Sequence, residues 1–387
     1  MKKLGLALLT AASAALVACG GGGGDAGAPV SQNGTLRAAL TDAPSCGYDA
    51  VFVTVQKLRV HSSATASDSD GGWSELILSP ARRVDLLTLS NGVLEELGQL
   101  PLPAGHYSQL RLVLAANDAT TPLANAVTPS GGAAVALDTP SGVQTGIKLN
   151  ADVEVQTGKV ADVVLDFDAC KSVVKRGASG RYNLQPVVTV LPRLSDAGAR
   201  VVGYVNAELA NNATRVSVQQ GGVAIKSTWP DSNGRFVLYP LPAGTYDLVL
   251  SASGHASAVM TGVPVTAATP TEVNSVGLPI VLPPSAEREV TGTLSPASAS
   301  LRALQLLGGT TIEVAWAQVL ADTGAFSLRL PLAAPLKGSY VPSPVTLNFQ
   351  ADASATAKYR LEAISGDQKK TQDLDVSSAV PPLNIAF

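Results

Sequence analysis

Few residues in this chain have the type and spacing for chemistry. Asp166 and Asp168 stand two apart in an alternating run, and on one strand their carboxylates would share a face. Such a pair could ligate calcium or serve as acid and base, or it could bond loop amides and pair with arginine. Asp42 and Asp49, on either side of Cys46, are open to the same two readings. Ser172-Val173-Val174-Lys175 matches the S-x-x-K pairing of a nucleophile with a base. That constellation also needs S-D-N and K-T-G, and Lys370-Thr371-Gln372 fails the last. His61, His106 and His255 are far apart and form no H-E-x-x-H, so they are expected at the surface or in corners rather than on a metal. Asp68-Ser69-Asp70-Gly71 has the acid order of a calcium loop, but Ala66 stands where the first Asp is needed. A solvated hairpin tip is expected there. Trp73, Trp229 and Trp316 could stack on a sugar ring. With only 3 Trp, 8 Tyr and 6 Phe, most are needed for cores. Trp229, which leads into the turn at Asp231, is the best candidate ligand contact, followed by Asp166 and Asp168. No catalytic residue, metal site or cofactor is expected.

The elements that must position these residues are strands. Of the 387 residues, 46% are hydrophobic, 4% aromatic and 15% charged, which excludes a disordered chain and a multi-span membrane protein. A net charge of −3 argues against nucleic acid as a partner. Apolar stretches alternate with period two, as in Val51 to Val55, Leu110 to Leu114, Val160 to Leu165, Arg215 to Gln219 and Phe236 to Tyr239. Between them lie turn clusters such as Ser90-Asn91-Gly92, Asp231-Ser232-Asn233-Gly234 and Asp322-Thr323-Gly324. Val93 to Leu97 is the one modest helical candidate. The expected class is all-β, built as tandem Ig-like β-sandwiches. Breaks at Pro192 to Ala199 and Pro283 to Glu289 divide the chain into residues 34–192, 199–283 and 288–387. The last two echo each other. Val201-Val202-Gly203-Tyr204-Val205 corresponds to Val290-Thr291-Gly292-Thr293-Leu294, Gly234-Arg235-Phe236 to Gly324-Ala325-Phe326, and Tyr246 to Gly254 loosely to Tyr359 to Gly366.

The N-terminus sets the compartment. Met1-Lys2-Lys3 is followed by an apolar run, Leu4 to Val17, too short to cross a bilayer as a helix. It ends in Leu16-Val17-Ala18-Cys19, which resembles the bacterial lipoprotein signal. The resemblance implies removal of residues 1–18, acylation of Cys19 and, since Gly20 rather than Asp follows, an outer-membrane location on the periplasmic face or the cell surface. Several acyl chains hold a protein stably where one does not. The Gly-rich stretch within residues 19–33 reads as a flexible tether with a reach of about 20 Å. With Cys19 so assigned, Cys46 and Cys170 are most simply a disulfide in an oxidising compartment. It would contribute about 4–5 kcal/mol in the chain-entropy model. Two buried free thiols are the alternative.

The second segment resembles the carboxypeptidase regulatory-like family, a transthyretin-like sandwich. The resemblance rests on Val201 to Val205, Gly234-Arg235-Phe236, Leu241-Pro242-Ala243-Gly244-Thr245-Tyr246 and Gly254. The third segment keeps the opening strand and Gly324-Ala325-Phe326 but lacks the L-P-x-G-x-Y. The first segment resembles the DUF4382 family, common in bacterial lipoproteins. The supporting residues are Leu40-Thr41-Asp42-Ala43-Pro44, Tyr48-Asp49-Ala50-Val51, Val84-Asp85-Leu86-Leu87, Leu102-Pro103-Ala104-Gly105-His106-Tyr107 and Val164 to Asp168. These resemblances imply a non-enzymatic, lipid-anchored envelope protein with a binding or structural role, its partners a membrane and a glycan or envelope protein. A carbohydrate-binding module is the alternative, because the transthyretin-like sandwich belongs to a carbohydrate-binding-like grouping.

Overall fold

The structure is a computed structural model that describes residues 33–42, 47–177, 179–193, 198–342 and 347–387. Residues 1–18, the tether, Cys19 and Cys46 lie outside the described residues. Strands dominate, and the helices are single turns such as Pro140–Gln144 and Ala169–Ser172. Among the described residues no helix is long and apolar enough to cross a membrane. The all-β expectation holds, and the architecture is one of paired sheets.

The first segment pairs a four-stranded sheet with an eight-stranded one. In the smaller sheet Asn33–Asp42 lies between Glu95–Pro103, antiparallel, and Val160–Phe167, parallel, with Val188–Pro192 at the edge. Alternation sends Leu36, Ala38 and Leu40 inward against Val53, Leu58, Leu110 and Leu112 of the larger sheet. The helical expectation at Val93 to Leu97 is wrong. Asn91 and Gly92 take positive φ (58° and 83°), and the chain turns into strand Glu95–Pro103. Five residues are too few to separate a helical from an extended pattern, and pairing with Asn33–Asp42 decides the outcome.

The echo between the second and third segments has a physical cause. Gly203 pairs with Phe236 and Gly292 with Phe326. A Cβ at Gly203 would lie 2.4 Å from the Phe236 ring, and one at Gly292 would lie 2.7 Å from the Phe326 ring and 2.1 Å from the Leu383 carbonyl. Each opening strand therefore needs a glycine to make room for the phenylalanine of the next hairpin. The L-P-A-G-x-Y corner is equally concrete. The Tyr107 hydroxyl donates to the Pro103 carbonyl (2.9 Å) and the Tyr246 hydroxyl to the Pro242 carbonyl (2.8 Å). In the third segment Tyr359 bonds the Pro331 carbonyl, far away in sequence.

The third segment also completes the second. Leu336–Ser339 adds in parallel to strand Ala258–Val265, and Gln350–Ala351 adds beyond it, extending the sheet of the second segment to six strands. Leu336, Tyr340, Leu347 and Phe349 pack on the second core. The second sheet edge is thus covered by its own chain.

Candidate functional site

Among the described residues, the contacts between segments converge on buried charge at two places. Trp229 is half-buried and packs on the core of the first segment. Sequence reasoning offered it as a ligand contact, but the structure uses it as an anchor between segments. Beside it Asn91, at the Ser90-Asn91-Gly92 turn, receives the Val237 amide on Oδ1 and donates its own amide to Thr228 Oγ1. Leu94 packs against Val202, Val237 and Tyr239.

Asp166 sits in strand Val160–Phe167 and is buried, its Oδ1 in contact with the Lys226 ammonium from the second segment. Lys226 Nζ also approaches the Asp42 carbonyl (3.4 Å) and Thr41 Oγ1 (3.5 Å). Burial raises the Asp166 carboxyl against the pull of Lys226. Asp42, beside it, receives the Ala169 amide on Oδ1 (2.9 Å), and burial pushes its carboxyl well above the usual range. Asp168 does not share a strand face with Asp166. The strand ends at Phe167, and Asp168 caps helix Ala169–Ser172, accepting the Lys171 amide (3.0 Å). Cys170 in that turn is buried and disulfide-bonded.

The second convergence is Glu313, on strand Thr310–Trp316, with 3% of its side chain exposed. Its Oε1 accepts from Lys171 of the first segment (3.1 Å) and Arg215 of the second (3.0 Å), and its Oε2 from Arg302 of the third (3.2 Å). Burial alone would raise this carboxyl. The charges and bonds of Arg215 and Lys171 outweigh that and hold it at about 2. Gln219 bonds both the amide and the carbonyl of Glu313 (2.8 Å each), like one more strand partner. Arg302 continues the network to Glu362 and to the Gly222 carbonyl.

Above Glu313 opens a cleft of about 660 Å³ between the segments. Lys171 and Val187 line one wall, Val223 another, and Trp316, Val319 and Ile364 the third. Val187 and Val223 are exposed at 42% and 48%, so the cleft offers apolar surface to solvent. Glu313 is ionised and saturated by cations, which unsuits it as a general acid. The arrangement can bind a ligand by shape, apolar contact and the Trp316 ring, with charge fixed beneath. Sequence reasoning weighed Trp316 as a core residue. An indole at the end of a strand gives no sign of the neighbouring segment that makes its cleft.

The remaining candidates are structural. Ser172 is fully buried with its Oγ on the Val187 amide (2.8 Å), whereas Lys175 is exposed. Asp70 is exposed and closes its own turn on the Ser67 amide and hydroxyl. Asp49 accepts the Gly131 amide (2.9 Å). His61 packs against Trp73 with the rings tilted (centroids 4.9 Å apart), His106 meets Asp152, and His255 bonds the Ser253 carbonyl. Among the described residues no group of three or more His, Cys, Asp or Glu could hold a metal ion.

Paired sheets, tyrosine corners and charge buried between segments define a tandem β-sandwich protein. Residues 33–186 match the family model described as Domain of unknown function (DUF4382), and residues 196–278 match the Carboxypeptidase regulatory-like domain, in the order the sequence motifs imply. Neither description names a catalytic activity, and both fit a structural or binding role. No curated protein matches the chain. Among solved structures, an interface mutant of a type II cohesin–X-dockerin complex from Acetivibrio cellulolyticus is 26% identical, with a TM-score of 0.18, over 22% of this chain. The chain spans 57% of the length of that one. A streptococcal ancillary pilin is 9% identical over 92% of this chain and 98% of its own, with a TM-score of 0.17.

Proposed function

We propose that the protein is a lipid-anchored envelope scaffold: three sandwiches, over residues 34–192, 199–283 and 288–387, held rigidly together on a Gly-rich tether. The carrying observation is the joining of the segments through Glu313, where one buried carboxylate takes cations from all three. Flexible tandem domains share small polar interfaces; a strand donated from one to another and buried ion pairs suit a single stiff body. The resemblance at Leu16 to Cys19 supplies the anchor, on the outer membrane, and Cys46 with Cys170 the disulfide. Labelling with palmitate tests the anchor. Cys19→Ala is expected to lose the label and release soluble protein, and persistent membrane label in that variant would defeat the reading.

A second reading, carbohydrate binding, is favoured by the cleft with Trp316 on its wall. The sugar would stack on the indole there, rather than on Trp229. A glycan array with the soluble form is expected to give a binder that Trp316→Ala loses. No binder even at millimolar concentrations would dismiss it.

A further inference from the structure

We propose that Lys226 and Asp166 become joined by an amide bond, a covalent crosslink between the second and first segments. The Lys226 side chain is 1% exposed and that of Asp166 7%. Nζ lies against Asp166 Oδ1, with the Asp42 carbonyl and Thr41 Oγ1 as its other polar neighbours.

Both reactants are held from two sides. Asp166 lies in a strand flanked by Asn33–Asp42 and Val188–Pro192. The Lys226 strand pairs with Thr214–Gln220, and its next residues bond outward, Ser227 to Arg215 and Thr228 to Asn91. Amine and carboxyl therefore share one site without the loss of freedom that makes amide formation between separate molecules slow.

An ion pair withdrawn from water loses hydration on both ions, and passing the proton from Nζ to Asp166 gives the amine and carboxylic acid that react. Burial raises the Asp166 carboxyl in that direction, and more strongly that of Asp42, whose Oδ2 is buried with no hydrogen-bond partner among the described residues. In the step, the Nζ lone pair attacks Asp166 Cγ and a C–N bond forms. The bond from Cγ to the hydroxyl oxygen breaks, and that hydroxyl leaves as water with one proton from Nζ. The step needs no oxidant, nucleotide or metal.

The test is the intact mass of the full-length chain after denaturation and reduction, followed by peptide mapping. Wild type is expected about 18 Da below its processed sequence mass, the mass of one water, with a branched peptide linking the Lys226 and Asp166 segments. Lys226→Arg is expected at full mass with no branched peptide. Asp166→Asn, which would expel ammonia instead of water, is expected to retain the branched peptide. A natively folded wild type at its full sequence mass, yielding linear peptides through Lys226 and Asp166, overturns the proposal. That result would leave the membrane anchor untouched, since palmitate labelling reads it separately.

Discussion

Replacing Glu313 by Gln keeps the shape of the side chain and removes the charge that three cations face. In the folded protein the carboxyl is held at about 2, against an ordinary 4.5, which corresponds to about 3 kcal/mol of stability. The folded value is the lower one, so this contribution is complete above the unfolded value. It is lost as the pH falls from about 4.5 toward 2. Glu313→Gln should therefore be less stable than wild type by about 3 kcal/mol at pH 7, or somewhat more, because Lys171, Arg215 and Arg302 would be left facing a neutral amide. Near pH 2 the gap should shrink below about 1 kcal/mol, as wild type becomes neutral there too. Urea titrations followed by tryptophan fluorescence measure both gaps, since Trp229 and Trp316 sit at the segment junctions. A gap that is the same at both pH values would refute the electrostatic account and leave only a packing defect.

Gly203→Ala would drive a Cβ to 2.4 Å from the Phe236 ring, and a destabilisation of about 1–3 kcal/mol is expected in chemical denaturation. Adding Phe236→Leu should recover part of that loss. Tyr107→Phe and Tyr246→Phe should each cost about 1 kcal/mol by removing one corner hydrogen bond, as read from thermal melts. Replacing residues 334–352 by a short linker should bare strand Ala258–Val265, seen as faster amide hydrogen exchange in that strand with little change around Leu36 and Leu110. Trp229→Ala, which removes a half-buried ring, should cost about 1.5–3 kcal/mol, read as a lower midpoint in calorimetry.

The period-two pattern is enough to place the strands, because burying one face of a sheet is a local demand written every second residue. The motifs that carry Gly203, Phe236 and the tyrosine corners are likewise visible, since each is short, whereas the pairing of glycine with phenylalanine is not. The junctions are not. Glu313 lies between Ile312 and Val314, and all three are buried. In an alternating reading the acid would face solvent, and nothing local announces the Gln219 and Arg215 that cover it. Lys226 reads as an ordinary outward lysine for the same reason. Asp166 and Asp168 were picked out by their spacing, but whether a strand continues for two more residues depends on its neighbours, and here it stops at Phe167. The donated strand Leu336–Ser339 is masked by its flanking prolines, which look like a loop until the edge it covers is known.

That donated strand also imposes an order of events. A chain emerging from its N-terminus exposes Ala258–Val265 long before Leu336–Ser339 is available to cover it. Throughout that interval a row of unsatisfied amides and carbonyls is free to recruit the same edge from a neighbouring nascent chain, the route to swapped or aggregated products. Yield should therefore fall as more chains are made at once, and weak expression or a holdase that shields extended segments should restore it.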